Sequence, residues 1–445
     1  MLDGRHVRIA GQGCASAWAA HLLASLGADV ARAAGPDDLP AALEWARSGA
    51  MALTGPADGP ARAAPGPLAS TARGALAALR ALALDAEALP DDGAALLGER
   101  AACFGYTRRG RIAPSGTCRL LRCADGWIAL NLARDEDRAS LPAWLEREGD
   151  ACDDFWEFAT KGVALRSADE LALRAGWLGL AAAHAALPPD VPPAWLRWAV
   201  HGEARASAAR APLVLDLSAL WAGPLAAELL AATGARVVKI ESVRRPDGAR
   251  LGPPDFYALC NARKVSVALD LASARGRAQL EALARRADVV IESARPRALA
   301  QLGLVAAQWL AEAPGRTWLS LTGYGRDDPS PGRVAFGDDA GAAAGLAVAT
   351  GGADDPLFCG DAIADPLAGL HAALAVQASL CAGGGHLLDV ALRDVCAHAA
   401  AFRTPEDVAM RADVVSPPRA RRPLRGARPL GADTAAVCAE LGVPC

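Results

Sequence analysis

Lysine is nearly missing from this chain: only Lys161, Lys239 and Lys264 stand among its 46 lysines and arginines. Tyrosine and methionine are as sparse, at three residues each. No run of eighteen or more uncharged apolar residues occurs, which excludes an ordinary transmembrane helix. The eleven cysteines contain no Cys-x-x-Cys pair, and neither they nor the seven scattered histidines cluster at metal-ligand spacing. His371 follows Asp365 by six residues, so the two are not neighbours on one helix face. We therefore expect free thiols and no metal site. A net charge of -4 and a pI near 6.0 give no electrostatic case for nucleic acid, and the basic stretch 417–429 reads as a solvated tail. The opening "MLDGRHVRIAGQG" meets charge at once and lacks a hydrophobic signal core, so the expected compartment is cytoplasmic, with no membrane contact.

What is present is apolar and long. A hydrophobic fraction of 52% over 445 residues calls for two or three packed units. The second half carries the clearest grammar. "LVLDLSALWAGPLAAELLAATGARVVKIE" (213–241) reads as strand, Gly-Pro turn, apolar helix, glycine stop and second strand. "KVSVALDL", the helix at 272–287, "DVVIES" and "RTWLSLTGYG" continue the alternation. Such a series builds a parallel sheet whose ligands bind beyond the carboxyl ends of the strands.

The first half echoes the second. Moved forward by 207 positions, residues 7–33 lie without a gap on 214–240, with Leu22, Leu23, Gly27 and Val30 meeting Leu229, Leu230, Gly234 and Val237. "GAMALTGPADGP" (49–60) lies on "GLAVATGGADDP" (345–356). The repeat also weakens a dinucleotide fingerprint at Gly11 and Gly13, because the corresponding "LDLSALWAGP" has no such glycines. The expected organisation is a degenerate lobe at 1–95, a small-domain-like segment and linker at 96–205, and a catalytic lobe at 206–445.

The ordered motifs "LDLSALWAGPLAAELLAATGARVVKIE", "NARKVSVALDL", "DVVIESARPRALAQLGL", "SLTGYGRDDP" and "IADPLAGLHAAL" resemble the family III CoA-transferases (CaiB/BaiF type). The resemblance is dense from 213 to about 380, and "PLGADTAAVCAELGVP" resembles the family's closing helix. It implies an α/β fold: a Rossmann-like parallel sheet with helices on both faces, here duplicated as two lobes, plus a small α+β domain. The segment 98–145, with its Ala-Asp-Gly turn, resembles that small domain. The family's paired chains would then become one pseudo-dimeric monomer, or a homodimer, with the segment packing near the Asp365 cleft.

The family's nucleophilic aspartate falls on Asp365 of "D-x-x-x-G", Gly369 being the glycine. In the first lobe Ala69 or Ser70 stands there instead, which implies one active site per chain. From the residues alone, Asp365 followed by Pro366 equally suits a helix cap, and Asp361 a loop or cap residue. The resemblance further places Ala222 near the CoA thiol arm, Leu269 and Asp270 at the adenosine pocket, Arg295 on a phosphate, and Asn261 with Lys264 beside the nucleotide. Ser242 departs from a phosphate-contacting arginine of relatives, with Arg244 or Arg245 as substitutes. No tightly bound cofactor is implied; acyl-CoA and a small carboxylic acid are the substrates. One alternative is an acyl-CoA racemase, whose Gly-His-Asp stretch reads "FGDD" here, with Asp338. Another is a catalytically silent CoA-binding or scaffold protein.

Overall fold

The computed structural model describes residues 1–148, 154–205, 211–328, 333–404 and 415–444. Among these, β1 (His6–Gln12) pairs with β2 (Asp29–Asp37) in parallel, and β3 (Cys118–Arg122), β4 (Trp127–Asn131) and β5 (Ala181–His184) form an antiparallel sheet. The large sheet joins β6 (Arg197–Val200), β7 (Leu213–Leu217), β8 (Arg236–Ser242), β9 (Val265–Leu269), β10 (Val289–Glu292), β11 (Thr317–Thr322) and β12 (His386–Ala391) in the order β6-β12-β11-β10-β7-β8-β9. Only β6 runs antiparallel. Strands such as "VVIE" are buried throughout, as a parallel sheet covered by helices on both faces requires. The chain steps outward from β7 to β8 and β9, then crosses back to β10. The strand order therefore reverses between β7 and β10, where such sheets open a crevice at their carboxyl ends.

The internal repeat survives in backbone detail. His6 lies opposite Asp29 and Val7 opposite Val30; 207 positions on, Leu213 lies opposite Arg236 and Val214 opposite Val237. The helices between the strands, Cys14–Ser25 and Ala222–Ala232, end alike, with the Ala28 amide donating to the Leu23 carbonyl and the Ala235 amide to Leu230. Gly13 enters the first helix at φ 111°, and its counterpart Leu220 takes φ 69°. Helices Ala41–Arg47 and Leu68–Leu82 recur 296 positions later as Gly337–Ala343 and, from the same start, Ala364–Cys381. The repeat also keeps its closest helix crossing. A Cβ on Gly74 would lie 2.4 Å from the Ala15 carbonyl oxygen, and one on Gly369 2.8 Å from that of Ala222.

The first lobe nevertheless falls short of the second sheet expected of it. It stops at two strands, because the chain passes from Asp37 almost directly into Ala41–Arg47 and leaves no length for counterparts of β9 to β11. β2 is largely exposed among the described residues. The three-stranded sheet packs onto the second lobe of its own chain. Trp127 Nε1 donates to the Ala353 carbonyl at 3.0 Å, and Leu120 and Ala129 share a cluster with Ala342, Ala347 and Phe358. The Ala124-Asp125-Gly126 turn is engaged elsewhere: Asp125 accepts the Ala168 amide at 2.9 Å at the start of helix Ala168–Leu178.

The basic stretch 417–429 is a strap instead of a solvated tail. Arg421 Nη2 pairs with buried Glu99 at 2.9 Å, and Arg425 Nε donates to the Ala262 carbonyl. The closing helix Thr434–Leu441 then covers the β9 edge, with Asp433 and Thr434 accepting the Ser266 and Ala268 amides.

Close backbone approach at the repeated helix crossing leaves no room for a methyl group. Gly74→Ala is expected to cost about 1–3 kcal/mol in urea unfolding, whereas Gly426→Ala, with nothing within 4 Å, stays near wild type. Equal stability of the two variants would contradict the crossing.

Candidate functional site

Helix Ala364–Cys381 places Asp365 in its first turn, but Ile363 holds the N-cap position and no side chain caps the helix. Asp365 is therefore not the cap that its neighbour Pro366 suggests. Asp365 is half-buried and its carboxylate faces outside its own helix: Oδ2 accepts the Gly337 amide at 3.1 Å, and the Ala222 amide faces the carboxylate. Gly337 is obligatory for this approach, since a Cβ there would lie 2.4 Å from Asp365 Oδ2.

Three further carboxylates surround it. Asp361 is fully buried and clamped by Arg100, whose Nε and Nη2 donate at 2.8 and 2.6 Å. The same guanidinium lies 5.5 Å from the Trp221 ring centre and 5.9 Å from that of Tyr106. Asp338 Oδ1 accepts the Ala362 amide at 2.8 Å. Asp339 Oδ1 accepts the Phe336 amide at 2.9 Å and lies 3.4 Å from Asn131 Nδ2, while its Oδ2 is buried with no hydrogen-bond partner.

One guanidinium cannot compensate so many acids. Burial pushes the Asp365 carboxyl up to about 6, against the pull of Arg100 and of the Gly337 and Ala222 amides. Burial and the neighbouring Asp361 hold Asp338 well above the carboxylate range. Burial drives Asp339 to about 8, so it is neutral at pH 7.

The other residues singled out in the sequence divide into two groups. Ala222 opens its helix and meets Asp365 through its amide. Leu269 and Asp270 lie at the carboxyl end of β9, with Asp270 held by Arg244 at 3.0 and 3.2 Å. Arg295 follows β10 and packs on Gly179, where a Cβ would stand 2.3 Å from its Nη2.

Asn261 and Lys264 are buried, contrary to their expected place beside a nucleotide. Lys264 Nζ spends its three donors on Asp216 at 2.7 Å, the Pro224 carbonyl at 2.9 Å and Asn261 Oδ1 at 3.0 Å. A phosphate would find no free hydrogen there. Burial pushes Asp216 up, but Lys239 and Lys264 outweigh it and hold the carboxyl at about 2. Two of the chain's three lysines thus serve an internal ion network.

Sequence reasoning missed Arg100, which lies within the small-domain-like segment 98–145 but 261 positions from its partner. The paired acids of "FGDD" were the one visible signal for Asp339. Among the described residues, no group of His, Cys, Asp and Glu is placed to hold a metal ion, and no helix is long and apolar enough to cross a membrane.

Residues 212–430 match the family model of CoA-transferase family III. The succinate–glutarate CoA-transferase of Agrobacterium fabrum is 32% identical over 200 residues, covering 41% of this chain and 50% of the relative. The succinyl-CoA–D-citramalate CoA-transferase of Chloroflexus aurantiacus is 30% identical over 191 residues, 40% and 48% of the two chains. A solved CaiB/BaiF family protein from Brucella suis shares 27% identity over 44% of this chain and 56% of its own, with a TM-score of 0.38. The chain spans about half the length of the curated relatives it matches.

Two outcomes follow from the buried charges. Lys264→Met strips Asp216 of its closest cation and is expected to cost about 3–5 kcal/mol in stability, with CoA affinity of the folded variant unchanged; weaker CoA binding at full stability would restore the nucleotide role. For Asp339, the unfolded carboxyl ionises near pH 4 and the folded one near 8. Between those values the folded state binds more protons, so stability falls as pH rises. Asp339→Asn removes that loss, and its advantage over wild type in urea unfolding should widen from pH 5 to pH 8. A constant difference would mean that the carboxyl ionises normally.

Proposed function

We propose that this chain is a CoA-transferase whose nucleophile is the Asp365 carboxylate. The observation that carries the reading is the contrast among four neighbouring acids. Asp338, Asp339 and Asp361 are buried, while Asp365 alone is half-buried, bonded by the Gly337 amide and faced by that of Ala222, both from other elements. A carboxyl held at about 6 is mostly ionised at pH 7 yet more basic than an ordinary aspartate, which suits a nucleophile that must also leave.

In the proposed cycle an Asp365 oxygen attacks the thioester carbonyl carbon, a C–O bond forms, and the C–S bond breaks to release CoA thiolate. The thiolate then attacks Cγ of Asp365 and expels the donor acid as a carboxylate, leaving an aspartyl thioester. An acceptor carboxylate attacks that thioester and again releases CoA thiolate. The thiolate takes the acceptor's acyl group and restores Asp365. The Gly337 and Ala222 amides are candidates to stabilise the oxyanions of these steps. CoA would lie along the carboxyl ends of the sheet, at Ala222, Leu269, Asp270 and Arg295.

One such site per chain is proposed. The counterpart of Asp365 in the first lobe is Ala69 by the offset of the helix starts or Ser70 by the crossing glycine Gly74, and neither can form the anhydride. The packing of Arg295 against Gly179, and of Arg100 on Asp361, supports a site completed by the small-domain-like segment of the same chain. The position of Asp338 beside Asp365 favours racemisation as a second reading, because one neutral and one ionised carboxyl can form an acid–base pair.

Incubation with acyl-CoA donors should leave an acyl or CoA adduct on the Asp365 peptide, seen by mass spectrometry and released by hydroxylamine. Asp365→Asn should abolish both adduct and transfer, and wild-type kcat/KM should fall below pH about 6 as Asp365 protonates. Deuterium wash-in at the α-carbon without an acceptor would favour the racemase. CoA binding with neither adduct nor exchange would leave a silent binding protein.

A further inference from the structure

Arg100 comes from helix Glu99–Phe104, outside residues 212–430, yet it ends on Asp361, four residues before Asp365. The turn between those two aspartates is anchored at every step. The Gly360 amide donates to Thr54 Oγ1 at 2.8 Å, Asp361 is clamped by Arg100, and the Ala362 amide donates to Asp338 Oδ1. The Ala362 carbonyl accepts the Asp365 amide at 2.9 Å. Ala362 itself sits at φ 41°, a left-handed backbone that a residue with a Cβ holds only when its surroundings enforce it. A Cβ on Gly337 would lie 2.3 Å from the Ala362 carbonyl oxygen, so the turn rests directly on the strand of backbone that bonds Asp365.

We infer that Arg100 is a positioning residue of the site: by clamping Asp361 it holds the strained Ala362 turn so that the Asp365 carboxylate meets the Gly337 and Ala222 amides. This rests on Asp365 being the nucleophile. The charged and titratable groups facing Asp365 are Arg100, Asp361 of its own turn, Asp338 of helix Gly337–Ala343 and Cys396 of helix Leu392–Ala401. Arg100 is the cation among them, and its removal leaves Asp365 among acids.

The test is the pH dependence of kcat/KM for wild type, Arg100→Met and Arg100→Lys. Arg100→Met should move the acid limb from about 6 to about 7 or higher, so that kcat/KM at pH 6 falls about fivefold or more with little change in KM for acyl-CoA. Arg100→Lys should keep the limb near wild type. A folded Arg100→Met variant with an unmoved limb overturns the inference and leaves Arg100 a purely structural tie. Should that variant fail to fold, Arg100→Met combined with Asp361→Leu removes both charges of the pair. The double variant should then lose at least tenfold in kcat across the pH range, and wild-type kcat in it overturns the inference. The two readings fail differently: a wild-type enzyme that never forms the Asp365 adduct removes the nucleophile, whereas an adduct together with an unmoved limb removes only the role of Arg100.

Discussion

The pair of half-buried Arg100 with buried Asp361 is the constraint on which the site depends. Taking two charges out of water is expensive, and their attraction offsets that cost only when geometry is close and the remaining donors are satisfied. Here two guanidinium nitrogens meet two carboxylate oxygens, with aromatic faces from Trp221 and Tyr106 beside them. The guanidinium neutralises one acid. Asp338 and Asp365 share its field without a cation of their own, and both are held above the ordinary carboxylate range. A single pairing thus ties residues 100 and 361 together and leaves a basic carboxylate in the first turn of helix Ala364–Cys381.

The duplicated backbone explains why those two residues meet at all. Helices Cys14–Ser25 and Leu68–Leu82 cross as Ala222–Ala232 and Ala364–Cys381 do, and the four share one core that includes Leu22, Leu76, Leu229 and Leu374. Small residues permit the approach: Gly74 on Ala15 in one lobe and Gly369 on Ala222 in the other. Trp18 Nε1 donates to buried His371 at 3.2 Å across the seam, which accounts for that histidine without a metal or catalytic role. The first lobe keeps only two strands of its sheet but retains the helix pair, and so presents a packing face from which the chain continues into Glu99–Phe104.

Much of this was legible in the sequence. The parallel strands announced themselves as short apolar runs closed by glycine, and the ungapped 207-residue offset reappeared as identical strand register. Asp365 could be located because a local motif carries it. Arg100 could not, since nothing local marks a residue whose partner is 261 positions away. Lys264 was placed beside a nucleotide because a sequence does not tell on which side of its strand end a side chain points; its partners lie inward. The arginines of 417–429 read as solvated for the same reason, although Glu99, far upstream, draws Arg421 into the fold.

Backbone strain gathers where the carboxylate is. Among the described residues, three that are not glycine have positive φ: Glu146, Leu220 and Ala362. Two of these flank the site, Ala362 three residues before Asp365 and Leu220 two residues before Ala222. Leu220 also donates its amide to Asp247, within the same polar network that contains Lys239 and Asp216. The first lobe meets the same turn with Gly13, for which the left-handed conformation carries no steric penalty. An unstrained solution was therefore open to this fold, and the lobe without a counterpart of Asp365 uses it. In the lobe with Asp365 the Leu220 turn is tied to the network at Asp247 and the Ala362 turn is held by the clamp at Asp361, so that two ion-paired sites hold the two strained turns on either side of one carboxylate.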